Sequence, residues 1–169
     1  GTVVCDEDAI VEKEWVSGIA YSRDDAKITL TRVPDRPGVA AGIFGPHADA
    51  NINVDMIVQN VSDDGHSTDL TFTLPRNDLD RALIVLEGHR KDLGFGRLAP
   101  DRNVVKISVI GIGMRSHAGV AQKMFSTLAA KGINIQLITT SEIKVSVLIA
   151  EEYTELALRA LHTVYGLDA

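Results

Sequence analysis

The stretch DRPGVAAGIFGPHADANIN, Asp35 to Asn53, has a counterpart 81 residues later in GVAQKMFSTLAAKGIN, Gly119 to Asn134. Between Gly38–Asn53 and Gly119–Asn134, seven of sixteen positions are identical. Gly38-Val39-Ala40 falls on Gly119-Val120-Ala121, Phe44 on Phe125, Ala48 on Ala129, and Ile52-Asn53 on Ile133-Asn134. The segments just upstream, AKITLTRV and VKISVIGI, alternate in the same way. Self-similarity at a fixed offset marks a duplicated structural unit. The chain is therefore read as two copies of one unit in tandem.

The pattern within a copy gives its fold. Lys27–Val33 alternates and is rich in β-branched residues, which predicts a strand. Asp35-Arg36-Pro37-Gly38 breaks it. A helix is expected from Pro37 to Ala50, with Pro at the first turn, where a missing N–H is harmless. Val39, Ile43, Phe44 and Ala48, with Ala40, would form its apolar face. Asn53–Val61 and Ser67–Leu74 read as strands of a hairpin around SDDGH. Asn77 or Asp78 would cap a helix whose apolar residues are Leu79, Ala82, Leu83 and Leu86. FGRLAP would be a final short strand. The order βαββαβ predicts an α+β fold of ferredoxin-like type, an antiparallel sheet with two helices on one face.

The second copy repeats this order but ends before its last strand. A spare strand, EWVSGIAYS at Glu14–Ser22, precedes the first copy. An unpaired sheet edge is a liability, so this N-terminal strand is expected to complete the second domain. The first copy is then inserted within a discontinuous second one. Trp15 and Tyr21 are expected to pack in that strand.

Composition narrows the function. The chain has 169 residues, 45% hydrophobic and 24% charged, with net charge −6 and pI ≈ 5.3. Nucleic-acid binding calls for clustered Lys and Arg, so a nucleic-acid partner is not expected. No apolar run approaches the roughly 18 residues of a membrane span. The single cysteine, Cys5, permits no internal disulfide and suits a reducing cytoplasm. The chain begins without Met, which suggests a processed or excised piece.

The helix start at Gly38 is the chemically suggestive feature. First-turn amides lack helical acceptors, and the macrodipole adds partial positive charge, so an anion can dock there. A phosphate loop would need GxxxxGK and Ser or Thr, which neither copy has. GIGMRSHAG, Gly111–Gly119, starts like a dinucleotide fingerprint but carries Ser116 at the third glycine position. The base-stacking aromatics of RNA-recognition modules are missing from the strands DLTFTL and VSVLIA. The five histidines (His47, His66, His89, His117, His162) have no metal-ligand spacing, and no cofactor or catalytic constellation is evident. A carboxylate suits the helix start as well as a phosphate. Asp35, Asn53, Asp55 and Gln59 could supply oxygens for an amine and a side-chain reader, which together would describe an α-amino acid. Each also has a plainer role, Asp35 and Asn53 in turns and Gln59 on a solvated strand. The recurrence of Asn at Asn134 fits either. Ser141-Glu142 sits at a strand turn and forms a second polar pair.

DRPGVAAGIFGPHADANINVDMIVQNVS, STDLTFTLPRND and GINIQLITTSEIKVSVLI resemble the regulatory region of aspartate kinases, a tandem pair of ACT domains. The resemblance runs from about Val11 to Leu167, and GTVVC resembles the end of the kinase domain. It implies residues 1–13 as an extension from that junction, an ACT domain at 24–99, and another formed by 14–23 plus 100–169. The family makes aspartyl phosphate and senses end products through its ACT pair. The resemblance implies a regulatory chain without the catalytic domain, cytoplasmic, with either an α subunit or a catalytic domain as partner. It implies a homodimer in which the first ACT domain packs on the second of its partner. A threonine site would use Asp35, Gly38, Val39, Ala40 and Gln59, with Asn134 and Ile135 closing it and Asn53 and Asp55 nearby. A lysine-type site would use Met114, Ser116, His117, Gly119, Val120, Ser141 and Glu142, with Asp55 or Asp64 nearby. A sensor of another metabolite is the alternative.

Overall fold

The computed structural model describes residues 16–61, 65–111 and 117–167, without the side chains of 117 and 118. Two compact units emerge, one formed by residues 24–104 and the other by the segments on either side of it.

In the inserted unit the sheet order is β3-β4-β2-β5, with every pair antiparallel. The strands are β1 (Gly18–Ser22, in the other unit), β2 (Asp25–Pro34), β3 (Ile57–Val61), β4 (Ser67–Pro75) and β5 (Arg97–Asp101). The helices are α1 (Val39–Asp49), α2 (Leu79–Gly88) and a single turn, α3 (Arg90–Leu93). Alternation drives Ala26, Ile28 and Leu30 of β2, and Leu70, Phe72 and Leu74 of β4, into one core. In register, Ile28 faces Phe72 and Leu30 faces Leu70. The opposite face carries threonines, and the Thr29 and Thr71 hydroxyls meet at 3.2 Å.

The parity of β2 breaks once. Leu30 and Val33 are both fully buried although three apart. A register shift between them absorbs the extra residue. Arg32 sits at the bulge with φ 52°, and the Asp69 carboxylate accepts its amide at 3.0 Å. Sequence alternation carries no sign of this. Strand β5 extends to Asp101, opposite Lys27, so this unit runs past Ala99.

Helix boundaries differ from expectation at the functional end. Helix α1 starts at Val39, two residues after Pro37, because Gly38 adopts φ 86° and cannot belong to a right-handed helix. Its buried residues are Ile43 and His47. Val39 and Phe44 pack partly buried on the core, while Ala40 and Ala48 are exposed. His47 thus takes the core position that Ala48 was expected to hold. Asp78 stands at the N-cap position of α2, as expected, but its side chain makes no capping hydrogen bond. A 3-10 turn at Arg76–Asp78 leads into the helix, and Asp78 pairs with Arg81 at 2.8 Å. Leu79, Ala82 and Leu86 of α2 are buried as their spacing predicts. At the α2–α3 joint, Arg90 grips both carboxylate oxygens of Glu87 and donates to the Gly96 carbonyl. Its guanidinium also stacks 4.6 Å from the Phe95 ring centre.

The other unit has sheet order β1-β6-β8-β7, with β6 (Val104–Ile110), β7 (Leu137–Thr140) and β8 (Lys144–Ala150). Strand β1 takes the edge position beside β6 that β5 takes beside β2 in the inserted unit. It runs antiparallel to β6 with Gly18 opposite Ile110 and Ser22 opposite Lys106. The Ser17 amide extends the ladder to the Ile110 carbonyl at 2.7 Å. Val16 is buried in the core of this unit, whereas Tyr21 is 54% exposed and lies beside Arg23. Tyr21 is therefore no packing residue: it sits one residue from the strand end. Trp15 lies outside the described residues.

Helices α4 (His117–Ala130) and α5 (Thr154–Val164) cover this sheet. Val105, Ile107, Val109, Met124, Leu128, Val145, Val147, Ile149 and Leu161 form the core between the layers. Tyr165, just past α5, donates its hydroxyl to the Val120 carbonyl at 2.6 Å in a buried setting. Tyr165→Phe leaves that carbonyl without this donor. It is expected to lower stability by about 0.5–1.5 kcal/mol, read as a shifted urea midpoint at unchanged m-value.

Candidate functional site

Asp35-Arg36-Pro37-Gly38 forms a turn tied at both sides. The Asp35 amide donates to the His66 carbonyl at 3.1 Å, which fixes the end of β2 beside the start of β4. The Arg36 guanidinium donates to the Asp92 carbonyl at 2.9 Å, anchoring the turn to the end of α3. The Val39 amide reaches the Arg36 carbonyl at 3.3 Å, and regular helical bonding begins with Gly42 to Gly38 at 2.9 Å. The Ala40 and Ala41 amides lie between these two bonds, at the positive end of an eleven-residue helix. Asp35, Gly38 and Ala40 are exposed. A carboxylate could dock on such amides, and the Asp35 carboxylate could take an amine.

Strand β3 is the edge beside this turn. Exposure alternates from Asn53 through Asp55 and Ile57 to Gln59, after which Asn60 and Val61 are both exposed. The ladder is regular only from Ile57. Before it, Asp55 and Met56 bond to Thr73, whose hydroxyl accepts the Met56 amide at 3.0 Å. Gln59 lies opposite Leu70, four positions along β4 from His66, the residue that holds Asp35. Asp55 lies at the far end, opposite Thr73. Asp55 meets β4 three positions beyond Leu70, about 10 Å, and seven beyond His66, about 23 Å. The strand register thus places Asp35 with Gly38, Val39 and Ala40 at the His66 end of β4, Gln59 near its middle and Asp55 toward the other end.

In the other unit Asn134 is exposed, and Ile135 packs partly buried against the core. Gly119 is exposed and Val120 buried, in the first turns of α4. Ser141 and Glu142 are exposed in the β7–β8 turn. The Ser141 amide donates to the Lys144 carbonyl, and its hydroxyl accepts the Ile143 amide at 3.4 Å. Gly111 at the end of β6 donates to the Ile143 carbonyl at 2.7 Å, bringing this turn beside the strand that leads toward α4. Met114, Ser116 and Asp64 lie outside the described residues, as does the side chain of His117.

Two features had no sequence signal. His47 is fully buried, with Nδ1 2.6 Å from the Ile43 carbonyl. Burial lowers its proton affinity, and His89 adds to the effect. A groove of about 470 Å³ runs between α4 and α5, lined by Thr127, Lys131, Leu156, Arg159, Thr163 and Val164. Among the described residues no helix is long and apolar enough to cross a membrane.

Comparison with known proteins fits this geometry. ACT-domain family models match residues 27–87 and 107–165. Aspartate kinase of Stutzerimonas stutzeri is 55% identical over 170 residues, covering all of this chain and 41% of that protein. The chain thus spans well under half the length of the curated relatives it matches. A crystal structure of aspartokinase α and β subunits is similar at TM-score 0.84 and 52% identity, over 90% of this chain and 99% of that one. The ligand-free regulatory subunit of aspartate kinase from Thermus thermophilus is similar at TM-score 0.83 and 38% identity, over 88% and 97%. The chain belongs to the aspartate kinase family, as its regulatory part built of two ACT domains.

Proposed function

We propose that this chain senses threonine, alone or with lysine, and carries feedback inhibition to an aspartate kinase catalytic portion in the cytoplasm. That portion, a domain or an α subunit, would phosphorylate aspartate with ATP at the head of aspartate-family amino-acid synthesis. The observation that carries the reading is the Asp35–Ala40 turn beside the exposed strand edge bearing Gln59. It offers helix amides to a carboxylate, Asp35 to an amine and Gln59 to a polar side chain. In this reading Asn134 and Ile135 of a second copy close the site.

Edge composition supports a homodimer. Ile57 on β3 is 48% exposed, and its repeat counterpart Ile138 on β7 is 43% exposed. Both strands are sheet edges. Val61 and Ile143 add exposed apolar surface beside them. Pairing the first ACT domain of one chain with the second of another would cover these side chains and the open ladders. The second site would then use the start of α4, Ser141 and Glu142. Asn53, the repeat counterpart of Asn134, would close it, with the Asp55 carboxylate set against a lysine ammonium. Ligand binding across the pair would shift the kinase toward its inactive state by the ligand's differential affinity for the two states.

A thermal-shift screen of the twenty amino acids tests the assignment. Threonine at one hundred times its Kd is expected to add about 2.7 kcal/mol. Stabilisation by a different metabolite alone would overturn the threonine and lysine reading. Gln59→Ala removes one side-chain hydrogen bond, so calorimetry is expected to show threonine binding about 3–10-fold weaker. Unchanged affinity would remove Gln59 from the site.

A further inference from the structure

We propose that His47 is a proton-operated catch on α1, and that uptake of a proton by its ring unseats this helix from the sheet of its own unit. The sequence of α1, VAAGIFGPHAD, is a poor helix by itself. Gly42 and Gly45 disfavour it, and Pro46 leaves the Gly42 carbonyl without an i+4 amide donor. Packing must therefore hold it in place, and its two buried residues are Ile43 and His47.

The His47 ring is 0% exposed. Its Nδ1–H donates to the Ile43 carbonyl, which leaves the lone pair on Nε2. Nε2 is buried and has no hydrogen-bond partner. The ring stands edge-on to Phe72, centroids 5.4 Å apart at 81°, with Phe44 at 6.4 Å. Elements packed against α1 bring few charges to bear. His89 at the α2–α3 joint repels a proton on His47. Glu87 and Arg90 are closed on each other. Asp49 on α1 itself, with Asp80, Arg81, Lys91 and Asp92 on the neighbouring helices, is exposed. From the sheet the ring meets an aromatic side chain. A proton on Nε2 would create a charged donor without an acceptor, in a setting that cannot solvate it. Release of α1 into water relieves that cost, so the neutral ring holds the helix and the charged ring frees it.

The sign follows from burial. The folded-state affinity for the proton is depressed below the ordinary value of 6.5, mainly by desolvation. This contribution to stability is complete above about pH 6.5 and is lost as pH falls from there toward the folded-state value. One differential proton changes the folded-to-unfolded ratio by at most about tenfold per pH unit.

The test compares the full chain with His47→Leu between pH 7.5 and 5.5. Urea unfolding and hydrogen exchange of amides 39–49 are read at each pH. The native chain is expected to lose stability below pH 6.5, with α1 losing protection first, and His47→Leu is expected to lack that component. Equal pH slopes, or α1 equally protected at both pH values, would overturn the proposal. If His47→Leu fails to fold, NMR titration of the native His47 ring decides, its signal identified through His47→Gln. Titration at or above pH 6.5 sinks the proposal, and titration below it, with broadening of α1 signals, supports it. The consequence for ligand binding rests on the function proposed above: threonine affinity should fall along the same pH profile. Threonine binding without that profile overturns the link and leaves the site standing. A stability profile without threonine binding at any pH overturns the site and leaves the catch.

Discussion

Phe72→Ala is expected to lower the stability of the unit at residues 24–104 by about 3–5 kcal/mol. Phe72 is fully buried at the middle of β4, opposite Ile28 on β2 and Ile57 on β3. Two α1 rings stand T-shaped against its ring, Phe44 at 5.3 Å and His47 at 5.4 Å. Truncation therefore removes the largest apolar surface of β4 and the seat of α1 together. Little can collapse into the gap, because a strand backbone on each side is fixed by its ladder. Domains of this size hold about 5–15 kcal/mol in total, so the loss takes a large share of the unit's stability. Urea unfolding followed by circular dichroism, with hydrogen exchange to assign the transition to residues 24–104, gives the measurement. A loss below about 2 kcal/mol would mean that α1 moves inward to fill the cavity. Because Phe44 and His47 share the Phe72 ring, their substitutions should combine non-additively with this one.

The same cluster shows what the amino-acid sequence discloses and what it conceals. Strands β2 and β4 are legible because their inward residues are apolar at period two, and one face is buried. The repeat is legible as a constant offset of 81, but only the strand order shows that Ile57 and its counterpart Ile138 stand on sheet edges. His47 is hidden because an apolar template discards a polar residue, although its spacing of four from Ile43 is correct for the core face. Arg32 is hidden for a different reason: a bulge shifts parity through the backbone, and no side-chain type demands it. At the candidate site the Pro-Gly pair marks a turn before a helix, which is local chemistry. The separation of Asp55 from Asp35 is set by their places along β4, which only strand register reveals. Asn53, Asp55 and Gln59 are all exposed, but the strand begins only at Ile57, and six residues of extended chain cover about 20 Å.

Gly38→Ala is expected to weaken threonine binding at least tenfold and to cost about 1–2 kcal/mol of stability. Nothing lies within 4 Å of a Cβ placed on Gly38, so no clash opposes the substitution. The penalty comes from φ 86°, a left-handed conformation that alanine adopts only with strain. The chain can respond in two ways. It can keep the turn and carry the strain, or it can relax Gly38 toward ordinary φ and swing the first amides of α1 away from Asp35. The anchors at each side, Asp35 to His66 and Arg36 to Asp92, resist movement outside the turn. Relaxation would therefore fall on the first turn of α1, where the Ala40 and Ala41 amides are proposed to hold the carboxylate. Gly38→Asn separates the alternatives, because asparagine tolerates left-handed backbone better than alanine. It should recover much of the stability and, if amide direction is what the ligand reads, much of the affinity. Calorimetry with threonine and urea unfolding on both variants give the two quantities independently. Stability lost with affinity intact in Gly38→Ala would show that the turn keeps its shape under strain and that the ligand is held elsewhere. Affinity lost in both variants with little change in stability would point to the added side chain blocking the ligand, with the amides unmoved.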